Sequence, residues 1–152
     1  MIEKKVGIGE VRVDHGDVML AAYGIGSCVV IVLYDPEVKI GGLAHVMLPS
    51  GNNESPRYPK GALSKMLKEM SELGVRHDKI AAKIVGGASI FEVFKRHKIG
   101  RQNVLRTKEE LDKLGIPIIA EDVFGNWGRS VFFNLTNGEV LVRSFKHGNK
   151  TL

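Results

Sequence analysis

The sequence contains only one cysteine among its 152 residues. An intramolecular disulfide and any zinc or iron–sulfur site built on several cysteines are therefore excluded, and this cysteine usage is typical of a reducing compartment. One free thiol, Cys28, is left without an obvious structural role.

The sequence also lacks a segment suited to crossing a membrane. No apolar stretch follows Lys4 and Lys5 as a secretory signal would require, so we expect a cytoplasmic protein without membrane insertion. The uncharged residues 18–34 are slightly too short for a span and contain Gly24 and Gly26. Two buried strands joined at these glycines explain the segment better.

Signals for nucleotide or metal binding are absent as well. The segments Gly7-Ile8-Gly9 and Gly24-Ile25-Gly26 lack the third glycine and the following helix of a dinucleotide fingerprint, and there is no phosphate-loop lysine pattern. Four histidines show no zinc-ligand spacing with one another or with a glutamate. They are His15, His77, His97 and His147. We expect them at the surface, and we expect no metal and no cofactor.

The charge is moderately basic, since 22 Lys and Arg against 17 Asp and Glu give a net charge of +5. The cationic residues are interspersed with acidic ones and no recognition motif accompanies them, so we expect no nucleic-acid partner. A denser basic group at residues 95–98 with Arg101 is either a solvated surface or a patch that steers an acidic protein partner.

The hydrophobic pattern predicts one α/β domain over residues 1–152, with a mixed sheet system and about two main helices. The near-continuous apolarity of residues 18–23 and 28–34 predicts strands covered on both faces. The other predicted strands span residues 11–13, 40–48, 80–85, 116–123, 130–135 and 139–145, and the helices span residues 63–73 and 104–114.

Loops of two kinds separate these elements. Residues 49–60 form the one long predicted loop, and loops of this length often border functional sites. Residues 88–97 form a short segment of unassigned type. Residues 124–129 form a glycine-rich loop in which we expect Trp127 to be exposed.

Cys28 is the first candidate for chemistry, although a lone cysteine on an apolar strand is commonly a small buried residue. The glycine-rich residues 24–27 directly precede it, so the backbone can turn sharply and its amides can approach a ligand closely. Gly26 and Ser27 are therefore candidates for backbone support of an oxyanion, and Cys28 for the nucleophile.

His45 is the second candidate, although a histidine within an apolar strand is equally compatible with a core residue bonded to a carbonyl. A turn at Asp35-Pro36 predicts a hairpin that returns His45 to the vicinity of Cys28. A free thiol has a pKa of about 8.5 and is only a few per cent thiolate at neutral pH, and an adjacent histidine corrects this. The spacing favours a Cys28–His45 dyad, and the core interpretation stays open.

Two sequence blocks surround these residues: Gly24-Ile25-Gly26-Ser27-Cys28-Val29 and Gly41-Gly42-Leu43-Ala44-His45-Val46-Met47-Leu48-Pro49. Further blocks follow in order at residues 82–88, 99–103, 120–122, 125–126, 128–131 and 136–138. Together they resemble the chemoreceptor glutamine deamidase family, CheD, over roughly residues 6–145.

The resemblance implies a fold like that of the cytotoxic necrotizing toxins, in which mixed β-sheets pack as a layered sandwich with about two main flanking helices. It also implies an enzyme that hydrolyses the side-chain amide of particular glutamines on methyl-accepting chemoreceptor cytoplasmic domains, giving glutamate and ammonia. Hydrolysis of receptor methyl esters is left open. The family further binds CheC, the phosphatase of the response regulator CheY. A weakly catalytic protein that acts mainly by binding and stimulating CheC is therefore the alternative.

Within this resemblance, Cys28 corresponds to the nucleophile and His45 to the general base and acid. The family position of a threonine that orients the histidine is occupied here by Ala22. An alanine side chain cannot accept a hydrogen bond, so a backbone carbonyl, a water or another residue must hold the imidazole. Without such a group the activity is weakened, which would favour the regulatory alternative.

Overall fold

The computed structural model describes residues 1–89 and 98–152 of the chain. Within these residues, ten strands form two five-stranded sheets, and two α-helices accompany them. The strands are β1 (Ile2–Lys5), β2 (Val11–His15), β3 (Val18–Ile25), β4 (Val29–Asp35), β5 (Ile40–Val46), β6 (Ala81–Gly86), β7 (Ile118–Val123), β8 (Arg129–Asn134), β9 (Val140–Ser144) and β10 (Gly148–Thr151). The helices are α1 (Pro59–Glu72) and α2 (Ile99–Lys113).

These elements stack in three layers, as a layered α/β sandwich predicts. The first sheet has the strand order β1-β3-β8-β9-β10, and the second has the order β2-β5-β4-β6-β7. One face of the second sheet packs against the first sheet, and its other face carries α1 and α2. In the described part of the chain, no helix is long and apolar enough to cross a bilayer.

Strand β4 lies at the centre of the second sheet and is buried on both faces. Val29, Ile31 and Leu33 contact the core beneath the helices, whereas Val30 and Val32 contact the core between the sheets. Successive side chains of a strand point to opposite faces, so a strand covered twice must be apolar throughout. The prediction of two covered faces is confirmed for β4.

Strand β3 differs from this prediction. Leu20 and Ala22 lie in the core between the sheets, but Tyr23 on the opposite face is 43% exposed and packs edge-on against Phe132. No described element covers this outer face. The outer face of β3 is apolar because it carries small and aromatic residues, although part of it is exposed to solvent. The prediction that both faces of β3 are covered was therefore wrong.

The predicted hairpin of β4 and β5 is confirmed. The strands are antiparallel, with Val30 opposite His45. The carboxylate of Asp35 accepts the amide of Glu37 at 2.9 Å, which closes the turn as expected of an Asp-Pro sequence. The final hairpin, β8 with β9, is also present.

Both helices begin earlier than the hydrophobic pattern indicates. Helix α1 begins at Pro59, and α2 begins at Ile99. Proline is favourable in the first helical turn, where its missing amide has no helical partner. The polar and glycine residues of these first turns hide the helical period, whereas Gly74 and Gly115, at φ of 89° and 69°, end the helices as predicted.

The edge strands β1 and β10 were not predicted. Strand β1 runs parallel to β3, and β10 runs antiparallel to β9. Both are polar and largely exposed, so no alternation of apolar residues marks them.

The aromatic and histidine side chains near the surface follow the predictions in part. The expectation for Trp127 is wrong: its ring is half-buried, 3.8 Å from the His147 ring and 4.8 Å from the Arg129 guanidinium. His15, His77 and His147 are exposed as expected. His97 and most of the segment at residues 88–97 lie outside the described residues.

Candidate active site

Cys28 lies at the start of β4, directly before the strand begins at Val29. Its side chain is half-buried and packs against the core between the two sheets. Gly26 and Ser27 form the bend that leads from the end of β3 into Cys28. The thiol thus lies at the end of a buried strand and beside a turn, as the glycine-rich sequence predicted.

The loop after β6 holds this turn by its backbone. The amide of Gly87 donates to the carbonyl of Cys28 at 2.8 Å, and the amide of Ala88 donates to the carbonyl of Gly26 at 2.9 Å. Gly87 has a positive φ of 69°, which a residue with a side chain rarely adopts. The Gly86-Gly87 pair in the sequence therefore shapes a cradle for the residues around the thiol.

The carbonyl of Ser27, which lies between those of Gly26 and Cys28 in the chain, also accepts a hydrogen bond. The side-chain amide of Asn103 donates from Nδ2 to the carbonyl of Ser27 at 2.8 Å. In a trans peptide the N–H points away from the C=O of the same plane. The amides of Ser27 and Cys28 therefore point away from Ala88 and Asn103. In residues 1–89 and 98–152 neither donates to another residue, and the Cys28 amide interacts only with its own thiol.

His45 lies on β5 and is only 2% exposed. Its partner across the ladder is Val30, and Cys28 comes two residues before Val30 on the same side of the chain. Diagonal neighbours in an antiparallel pair are roughly 7–8 Å apart, within reach of long side chains. The structure therefore brings Cys28 and His45 to one face of the same hairpin.

The imidazole of His45 is oriented by a backbone carbonyl. Nδ1 lies 3.2 Å from the carbonyl oxygen of Val6, whose own amide donates to Ala21 at 2.8 Å. A carbonyl only accepts, so Nδ1 carries the proton and Nε2 holds a free lone pair. Nε2 is buried and has no hydrogen-bond partner among the described residues.

Ala22 is buried in the core between the sheets and offers no polar atom to the imidazole. The carbonyl of Val6 occupies the role that Ala22 cannot fill, because it fixes both the orientation and the tautomer of His45. A backbone carbonyl, one of the kinds of group that the sequence allowed, therefore lies within hydrogen-bond distance of the imidazole.

Burial sets the protonation of both candidate groups. Burial raises the pKa of the Cys28 thiol above its ordinary 9.0, and a hydrogen bond from its own backbone amide only partly offsets this. Burial lowers the pKa of His45 below its ordinary 6.5, against smaller opposing effects of the Val6 carbonyl and Glu10. Both groups are therefore uncharged at neutral pH.

Sequence reasoning missed several groups that build this site. Val6 contributes only a backbone carbonyl, which no side-chain pattern can reveal. The Gly87-Ala88 amides and Asn103 lie in the blocks 82–88 and 99–103 that carry the family resemblance, so that signal was present but had no assigned role. The basic residues 95–97 lie outside the described residues.

A thiol and an imidazole on one face of a hairpin, with Nε2 free to accept a proton, are the groups that a cysteine nucleophile and its general base require. The family model described as CheD chemotactic sensory transduction matches residues 47–144. A relative from Geobacter metallireducens, named "Probable chemoreceptor glutamine deamidase CheD 2", is 41% identical over 97% of this chain and 96% of its own. The chemoreceptor glutamine deamidase CheD of Thermotoga maritima is 39% identical over 98% of this chain and 96% of its own.

A third relative, from the archaeon Pyrococcus horikoshii, is 41% identical over 97% of this chain. The chain therefore belongs to the CheD family. Among solved structures, protein NMB0706 of Neisseria meningitidis has a TM-score of 0.42 and 11% identity, covering 76% of this chain and 52% of that one. This likeness is too distant to bear on function.

Proposed function

We propose that residues 1–152 act as one deamidase domain on the cytoplasmic domains of chemoreceptors. Membership of a family whose curated relatives are named chemoreceptor glutamine deamidases makes the chain a glutamine amidohydrolase. The proposed nucleophile is Cys28 and the proposed general base and acid is His45. The observation that carries this assignment is the buried, unpartnered Nε2 of His45 on the face where Cys28 lies.

The first half of the reaction forms a thioester. His45 Nε2 takes the thiol proton as Sγ of Cys28 attacks the side-chain carbonyl carbon of glutamine, which gives a tetrahedral oxyanion. The carbon–nitrogen bond then breaks, and the imidazolium returns its proton to the departing nitrogen. Ammonia leaves, and the side chain remains bound to Sγ as a glutamyl thioester.

The second half of the reaction hydrolyses this thioester. A water gives one proton to Nε2 of His45 while its oxygen attacks the thioester carbon. The carbon–sulfur bond breaks, the imidazolium returns the proton to Sγ, and the receptor side chain leaves as glutamate. The enzyme is restored without a metal or an organic cofactor in any step.

The tetrahedral oxyanion needs hydrogen-bond donors that are in place before the reaction. The amides of Ser27 and Cys28 suit this role. The carbonyls in the same two peptide planes accept hydrogen bonds from Ala88 and Asn103, so the two amides point in the opposite direction. Gly26 contributes by its carbonyl, whose hydrogen bond to Ala88 orients the Ser27 amide, and by the close backbone approach that a glycine permits.

The regulatory alternative rests on the CheC binding that the family resemblance implies, and the missing hydroxyl at Ala22 added to it. The carbonyl of Val6 holds His45 in the required tautomer, so the absence of that hydroxyl no longer argues for weak catalysis. We retain CheC as a proposed partner of this chain, whose binding need not involve the thiol.

The test is mass spectrometry of a receptor cytoplasmic domain incubated with the protein or with its Cys28→Ala variant. Deamidation adds about one dalton at each modified glutamine, because an NH2 group is exchanged for OH. We expect this gain at discrete glutamines with the unmodified protein and none with Cys28→Ala.

A His77→Ala variant is the matched histidine control, since His77 is exposed and far from the thiol in the fold. It should deamidate at the unmodified rate, whereas His45→Ala should lose most activity. Equal deamidation by Cys28→Ala would refute the proposed mechanism. CheC binding by a protein that never changes the receptor mass would instead support the regulatory alternative.

A further inference from the structure

We propose that Asn103 is a positioning residue of this site, which ties the turn carrying Cys28 to the strand carrying His45. The inference rests on the proposed Cys28–His45 chemistry and adds to it a side chain that neither composition nor spacing indicated.

Asn103 lies in the second turn of α2 and is completely buried. Its Nδ2 donates to the carbonyl of Ser27 at 2.8 Å and to the carbonyl of Met47 at 3.1 Å. Ser27 directly precedes the thiol residue, and Met47 follows His45 by two residues. One amide group thus bonds to both chain segments that carry the proposed dyad.

This bridge lies where the sheet itself stops. The ladder between β4 and β5 begins with the pair Val29 and Val46, so Cys28 and Met47 stand just beyond its end. Backbone pairing therefore does not fix the turn against the strand at this point. The two hydrogen bonds of Asn103 hold the two segments together in its place.

Helix α2 can supply this bridge because it approaches the turn very closely. Gly100 lies one helical turn before Asn103, and a Cβ at Gly100 would collide with the backbone of Gly87 and Ala88. The amides of Gly87 and Ala88 donate to the carbonyls of Cys28 and Gly26, on either side of Ser27. Asn103 therefore completes a set of three anchored carbonyls around the thiol.

The chemistry of the side chain fits the task. A carboxamide has two N–H donors on one nitrogen, which can reach two carbonyls without placing a charge in the interior. Its Oδ1 is buried and has no hydrogen-bond partner among the described residues. The side chain thus uses its donor nitrogen at both carbonyls, which a residue serving burial alone would not need.

The test measures how fast iodoacetamide alkylates Cys28 at pH 7. Cys28 is the only cysteine, so the label reports this thiol alone. The Asn103→Leu variant keeps the approximate volume and removes both donors. We expect its second-order alkylation rate constant to fall about tenfold, because small displacements of a reacting group are costly. The Asn103→Asp variant has the same shape but has no donor when ionised and only one O–H donor when protonated, so it cannot bridge both carbonyls and should lose rate in the same direction.

Thr107→Val is the matched control, because Thr107 lies one turn further along α2, is fully buried, and its Oγ1 has no described partner. It should alkylate at the unmodified rate. Each variant is measured below its thermal unfolding transition, and Asn103→Asp replaces Asn103→Leu if the latter does not fold.

A double-mutant cycle with His45→Ala separates positioning from general support of the fold. If Asn103 acts by holding the thiol against the imidazole, Asn103→Leu should change the rate little once His45 is removed. An equal loss with and without His45 would overturn the inference.

Two further outcomes are distinct. A slower rate in His45→Ala with an unmodified rate in Asn103→Leu and Asn103→Asp would overturn the role of Asn103 and leave the dyad intact. An unmodified rate in His45→Ala would overturn the dyad itself, and the positioning role with it.

Discussion

At the scale of the residue, reactivity depends on the location of one proton. Burial raises the pKa of Cys28 and lowers the pKa of His45, so the resting pair is a neutral thiol and a neutral imidazole. In the proposed mechanism, the thiol proton moves to Nε2 of His45 as Sγ attacks. A protonated His45 cannot accept it, so the rate follows the neutral fraction of this histidine.

The first prediction concerns the acidic limb of the pH profile. The pKa of His45 lies below its ordinary 6.5, so more than half of the imidazole is neutral at pH 6.5. We therefore expect kcat/KM for deamidation to exceed half of its plateau at pH 6.5 and to fall at lower pH. A pH series with a receptor domain as substrate measures this.

The same series distinguishes a second protonation scheme. If the resting pair were a thiolate and an imidazolium, activity would require a charged His45 and would persist only below its pKa. A fall in kcat/KM as the pH rises above neutrality would support that ion pair, and an acidic midpoint above pH 6.5 would contradict the lowered pKa of His45. His77→Ala serves as the control, and its profile should match that of the unmodified protein.

At the scale of the element, the short strand β1 has an importance that its composition conceals. Its four residues pair with β3 up to Lys5 opposite Ala21, and the amide of Val6 continues this pairing to the carbonyl of Ala21. The carbonyl of Val6 is thereby directed to His45. An exposed edge strand thus sets the orientation of a buried catalytic candidate.

The second prediction compares the two edge strands of the first sheet. Removing residues 2–5 deletes β1 and should lower the alkylation rate of Cys28 to that of His45→Ala, because the Val6 carbonyl is no longer held. Removing residues 148–152 deletes β10, at the opposite edge of the same sheet. Iodoacetamide kinetics measure both variants.

Both truncations remove an edge strand of four residues, so both should lower the unfolding temperature. Only the loss of β1 should slow alkylation of the folded protein. A similar loss of reactivity in both truncated proteins would show that sheet stability, rather than the Val6 carbonyl, controls the thiol.

At the scale of the whole molecule, the site joins two sheets. Cys28 and His45 belong to the hairpin of the second sheet, whereas Val6 follows the edge strand of the first. The core between the sheets therefore sets the distance from the imidazole to its acceptor. Phe133 is a central part of that core, fully buried and packed edge-on against Tyr34.

The third prediction uses two phenylalanines of different exposure. Phe133→Ala should reduce the free energy of unfolding by about 3–5 kcal/mol, because it removes a buried ring and leaves a cavity. Phe145→Ala should change it by no more than about 0.5 kcal/mol, since that ring is fully exposed. Urea unfolding measures both, and comparable losses would contradict this assignment of the core.

The hairpin of β4 and β5 was predictable because its signals are local. Both strands are apolar, and Asp35-Pro36 marks the turn between them, so the approach of His45 to Cys28 follows from the chain alone. The ends of α1 and α2 were predictable for the same reason, because a glycine just after each helix marks the end. The first turns of the helices and the edge strands lacked such signals, since polar residues there face water.

Taken alone, the sequence determined the α/β class, the family, and the hairpin that carries Cys28 and His45 on neighbouring strands. Only the tertiary structure decided what orients that histidine and what anchors the turn beside the thiol. The groups involved are the backbone carbonyls and amides of Val6, Gly87 and Ala88 and a side chain from α2. Every residue carries nearly the same backbone N–H and C=O groups. Which of them bind the site depends on where distant segments meet in space, so residue type does not reveal it.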